Sequence, residues 1–72
     1  FFQMDIKRKL GNRIKKLRNQ EKLSQEKFAD LCGLDRTYIA GIEKGKRNVS
    51  LVNLEKIATT FGLSLSQLFE DL

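Results

Sequence analysis

The stretch Leu34 to Asn48, LDRTYIAGIEKGKRN, gathers Arg36, Thr37, Tyr38, Lys44, Lys46, Arg47 and Asn48 around an apolar thread of Leu34, Ile39 and Ile42. The chemistry open to this set is recognition, not bond making. A guanidinium is a planar fork of donors that meets two acceptors at once, whereas a lysine ammonium is a mobile point charge suited to anions. Thr37 and Asn48 can donate or accept hydrogen bonds. What the set lacks is a base. The chain has no histidine, no cluster with metal-ligand spacing and no phosphate loop, so no nucleophile and base can be paired. Its one cysteine, Cys32, reads as a small core residue. Neither an enzyme nor a metal or cofactor protein is expected, and no small-molecule ligand is evident.

The totals narrow the partner. Seventy-two residues make one small domain, near the lower limit at which a core holds without staples. A lone thiol fits a reducing cytosol, and a cytoplasmic location is expected. No apolar run approaches the roughly 18 residues of a membrane span, and no signal peptide is visible. Phe1, Phe2 and Gln3 precede a start methionine, Met4, and are read as additions outside the native chain, leaving residues 4–72 as the domain. The net charge of +5 is unevenly placed: residues 1–22 carry +6, residues 23–47 carry +1 and residues 48–72 carry −2. A basic front and an acidic back point to a polyanion on one side only. A solvated basic helix is the plainer reading of the same charges.

The elements that must position the polar stretch are helical. Proline is absent, and apolar residues recur at helical spacing throughout. Asp5 to about Glu21 carries Ile6, Leu10, Ile14 and Leu17 on one stripe, with Gly11 inside it costing about 1 kcal/mol relative to alanine unless it admits a close neighbour. Ser24 caps a second helix with Phe28, Ala29, Leu31 and Cys32 on its apolar side, ended by Gly33. Asp35 caps a third that runs to about Lys44 and closes at Gly45. Ser50 or Asn48 opens a fourth, with Leu51, Leu54, Ile57, Ala58 and Phe61 inward, stopped by Gly62. Ser64 and Gln67 make a capping box for a fifth, whose apolar edge is Leu65, Leu68, Phe69 and Leu72. The fold predicted is all-α, a compact five-helix domain.

Gln25 to Lys44 has a more specific pattern. Two helices meeting steeply need a small residue at their contact, supplied by Ala29, and a residue free to take positive φ in the turn, supplied by Gly33. Phe28, Cys32, Leu34, Ile39 and Ile42 are the positions such a pair must bury. Arg36, Thr37, Ala40, Gly41 and Lys44 remain outward on the second helix. That is a helix-turn-helix, whose second helix enters the DNA major groove. A generic helical hairpin inside a bundle is the alternative.

These residues resemble the lambda-repressor-like, XRE-type helix-turn-helix family over Ile6 to Leu72, from IKKLRNQEKLSQEKFA through LEKIATTFGLSLSQLF. Within that family LDRTYIAGIEKGKRN looks most like the controller proteins of restriction–modification systems. The resemblance implies double-stranded DNA as partner, with Arg36, Thr37 and Arg47 at bases. It places Gln25 and Tyr38 near the DNA backbone. The chemistry of the remaining residues adds Ser24, Lys44, Lys46, Asn48 and Ser50 to that set. Arg18 and Glu43 match a partly buried ion pair joining the first helix to the third. One departure is Lys22, where relatives often have a glycine. Relatives also dimerise through the last helix, so Leu65, Leu68, Phe69 and Leu72 are expected to form a homodimer interface. A transcription regulator on an inverted-repeat operator follows as the expected function. The alternatives are a targeting module of a larger protein such as a DNA methyltransferase, and an antitoxin-like regulator.

Overall fold

Helices α1 (Ile6–Gln20), α2 (Gln25–Cys32), α3 (Arg36–Glu43), α4 (Leu51–Thr60) and α5 (Leu65–Leu68) account for the regular structure among the described residues. The computed structural model describes residues 5–72, so the reading of Phe1, Phe2, Gln3 and Met4 lies outside the described residues. Every helix begins on a polar cap. The Asp5, Ser24, Ser50 and Ser64 side chains accept the backbone N–H three residues on, and Asp35 accepts that of Thr37. Ser50, not Asn48, is the cap of α4. Gln67 returns a side-chain oxygen to the Ser64 N–H, completing the expected capping box.

Helices α1 to α4 end by one shared device. Lys22, Gly33, Gly45 and Gly62 take φ of 57°, 72°, 74° and 70°. The next N–H then returns to an earlier carbonyl: Leu23 to Arg18, Leu34 to Ala29, Lys46 to Gly41 and Leu63 to Ala58. Glycine enters this left-handed region without steric cost. Lys22 does so against its own Cβ.

The core is Leu10, Ile14, Phe28, Ala29, Cys32, Ile39, Ile42, Ile57, Ala58 and Leu68. α3 lies at its centre, packed against both α1 and α2. Gly11 is where α1 and α3 touch. A Cβ there would stand 2.3 Å from the Ile42 carbonyl oxygen, so the helices approach backbone to backbone. On the far side the Phe28 and Phe61 rings stack with centroids 4.7 Å apart. Cys32 is buried as expected. Desolvation pushes its thiol pKa up, against a hydrogen bond with Thr60 that lowers it.

Four expectations need correction. Ile6, Leu31 and Leu51, assigned to buried stripes, are 58%, 53% and 70% exposed. Helical spacing identifies a stripe, but a short helix meets its neighbours over only part of that stripe's length. Leu68, assigned to a dimer interface, is completely enclosed within the monomer. It is a core residue, because α5 must plug the end of the core that α1 and α4 leave open. Arg13 locks that plug: its Nε and Nη2 donate to the carbonyls of Leu68 at 3.1 Å and Gln67 at 2.9 Å.

Candidate nucleic-acid interface

The platform under the polar stretch is a buried ion pair. Arg18 Nε and Nη2 donate to the two Glu43 carboxylate oxygens at 2.7 and 3.0 Å, and Nη1 donates to the Leu23 carbonyl at 2.7 Å. Gln25 Nε2 adds a bond to Glu43 Oε1 at 3.1 Å. One guanidinium thus ties α1, the first turn and the end of α3 together, with α2 joined through Gln25. The hydrogen-bonded Glu43 raises the Arg18 pKa further above its ordinary value, outweighing the opposing cost of burial. The expected pair is present, and it is structural. Gln25 is correspondingly half-buried, one of its amide hydrogens committed inward. Only its second amide hydrogen is left for a phosphate.

Arg36 and Thr37 occupy the exposed first turn of α3. Behind them Thr37, Tyr38, Arg47, Asn48 and Ser50, with Asp35 and Asn53, line an open cleft of about 510 Å³ between the start of α3, the α3–α4 turn and the start of α4. Arg47 lies over the Tyr38 ring, guanidinium carbon 4.7 Å from the centroid, a cation–π contact worth about 0.5–1 kcal/mol at an exposed site. Lys44 and Lys46 are exposed outside the cleft lining, and Ser24 is exposed at the start of α2. The predicted base and backbone sets therefore divide. Five residues share one concavity, and the rest lie outside its lining.

Gly41 gives the stem of Arg47 its seat on α3. It is half-buried, and a Cβ there would lie 2.8 Å from Arg47 Cγ. The aliphatic stem of Arg47 rests directly on the α3 backbone. Asn53 was missing from the sequence reading; its Nδ2 donates to the Tyr38 hydroxyl at 3.1 Å. Its signal was the spacing from Ser50, which puts Asn53 on the capped side of α4. The Arg13 clamp left no comparable signal, since its acceptors are carbonyls more than fifty residues away.

Among the described residues, no helix is long and apolar enough to cross a membrane. None of their His, Cys, Asp and Glu side chains form a group of three or more able to hold a metal ion.

Comparison with known proteins agrees with this geometry. The helix-turn-helix family HTH_3 matches residues 14–68. Control protein C.MunI from a Mycoplasma species is 59% identical over 69 residues, covering 94% of this chain and 93% of that protein. The crystal structure of the restriction-modification controller protein C.AhdI from Aeromonas hydrophila matches with a TM-score of 0.84 at 49% identity, over 88% of this chain and 96% of that one. The C.Esp1396I controller, solved as a tetramer on its natural 35-base-pair operator, matches with a TM-score of 0.84 at 37% identity, over 94% and 90% of the two chains.

Proposed function

Because this chain belongs to the HTH_3 helix-turn-helix family, we propose that it is a sequence-specific DNA-binding transcription regulator, the controller of a restriction–modification operon. It works in the cytoplasm as a homodimer on an inverted-repeat operator. It binds and does no catalysis. The observation that carries the reading is the exposed first turn of α3, where Arg36 and Thr37 stand beside the cleft of Tyr38, Arg47, Asn48 and Ser50 on a buried Arg18–Glu43 platform.

The division of labour follows from chemistry. Arg36 offers a bidentate fork to guanine O6 and N7, and Thr37 a hydroxyl or methyl to a neighbouring base. Arg47 reaches bases or phosphates from the rim of the cleft. Lys44, Lys46, Asn48, Tyr38 and the capping serines Ser24 and Ser50 serve the phosphates, setting register without reading sequence. The homodimer forms through the half-buried Leu65, Phe69 and Leu72. Phe69 lines a groove of about 130 Å³ with apolar Ile6, Val49 and Leu54 and with polar Lys7, Arg47 and Asn48, so exposed Ile6 adjoins Phe69 there.

Selection of bound sequences from random DNA tests this. An inverted repeat should be enriched, and log affinity for it should fall with log salt at a slope of about −0.9 per phosphate neutralised. No enrichment together with a flat salt response would refute the assignment.

A further inference from the structure

The cleft contains one residue that the reading of α3 leaves without a task. Asn53 lies on α4, yet its side chain reaches across to the hydroxyl of Tyr38 on α3. Its own backbone N–H is pinned by the Ser50 cap at 3.1 Å, so the helix start that carries it is held in place.

A phenol has one proton to give. The Tyr38 hydroxyl accepts from Asn53, and among the described residues it has no second hydrogen-bond partner. Its proton is therefore left for whatever enters the cleft. The ring beneath carries the Arg47 guanidinium, and the Arg47 stem rests on Gly41. These contacts form one stack from α4 to the basic turn: Asn53, Tyr38, Arg47, Gly41.

We infer that Asn53 is a positioning residue for DNA binding: it holds the Tyr38 hydroxyl as an acceptor, so that the phenolic proton is delivered to a backbone phosphate, and steadies the ring on which Arg47 is stacked. This rests on the DNA-binding reading above. It adds that backbone contact depends on a side chain outside the helix-turn-helix. A hydrogen bond to an anion is among the stronger kinds, so losing the direction of one proton has a measurable effect. Asn53→Asp should do more harm than Asn53→Ala. A carboxylate can only accept, so it takes the Tyr38 proton for itself and repels the phosphate as well.

The experiment is a double-mutant cycle with Asn53→Ala and Tyr38→Phe on the selected operator, titrated across salt, with melting curves for each variant. Each single change should weaken operator binding by about 3–10-fold while leaving the salt slope near that of the parent, because a neutral phenol releases no counterion. The double variant should bind within about twofold of Tyr38→Phe, because both changes act through one hydroxyl. Asn53→Asp should bind more weakly than Asn53→Ala while melting within a few degrees of it. Wild-type affinity in Asn53→Ala would overturn the inference, as would losses that multiply in the double variant. If the unsubstituted protein binds no DNA at all, the functional reading fails first and takes this one with it. If it binds while Asn53→Ala is silent, only the role of Asn53 falls.

Discussion

Arginine serves three different ends in this chain, and burial separates them. Arg36 is exposed on the first turn of α3 and free to meet a base edge. Arg36→Ala should cost about 1–3 kcal/mol on the preferred operator and little on random DNA, whereas Lys46→Ala should weaken both alike. Competition titrations against the two DNAs check this, and equal losses for Arg36→Ala would remove it from the base readers. Arg18 is buried, with all its hydrogen bonds turned inward. Arg18→Ala strands Glu43 without its main partner, and breaking such a pair costs about 3–5 kcal/mol. In a domain this small, each kcal/mol is worth about 4–8 °C of Tm, so the variant should melt far below the parent. An unchanged Tm would mean the pair is solvated. Arg13 belongs to neither group; it fastens α5 to α1.

At the scale of elements, the helices are similar in their ends and different in their sequences. Four share a left-handed terminator, and glycine supplies it in all but the first, where Lys22 sits at φ 57°. The left-handed region costs an L-residue about 1–2 kcal/mol, partly offset by the greater freedom glycine loses on folding. Lys22→Gly should therefore stabilise the protein by about 0.5–1 kcal/mol, seen as a Tm a few degrees higher. Lys22→Ala should give no such gain, since alanine keeps the Cβ. A Lys22→Gly variant that melts lower than the parent would show that the lysine side chain makes up for its strained backbone. The turn matters beyond stability, because the Leu23 carbonyl that follows it receives an Arg18 N–H.

For the whole molecule, the question is how one small domain would make the symmetric reader proposed above. Its basic charge is concentrated toward the amino-terminal third, while residues 48–72 carry a net −2. In the proposed homodimer, a second copy covers Leu65, Phe69 and Leu72, and the twofold axis turns both copies of α3 to one side. Two copies of α3 related by a twofold axis should stand about 34 Å apart, matching half-sites about 10 base pairs apart. Phe69→Glu should place a charge against its own copy at the axis, shift the protein to monomer and weaken operator binding more than it lowers Tm. Sedimentation and footprinting decide this. An unsubstituted protein that is monomeric at micromolar concentration and protects a single half-site would refute the dimer.

Local rules were enough for much of this protein. The caps Ser24, Asp35, Ser50 and Ser64 and the terminators Gly33, Gly45 and Gly62 act through bonds and sterics within a few residues, so helix number and most limits were legible in the chain. The exposed donors Arg36, Thr37 and Lys46 were legible too, because a side chain facing water needs no partner to be recognised. What required the tertiary structure was every assignment that depends on a residue far along the chain. Leu68 and Ile6 exchange expected places because burial is settled by which neighbour arrives, which their own spacing does not encode. Gly41 makes room for the stem of Arg47, and Gly11 for the backbone of α3. Asn53 enters the site because the start of α4 comes within hydrogen-bond reach of Tyr38 on α3. Helical periodicity says which side chains share a face; only the packed domain says what that face meets.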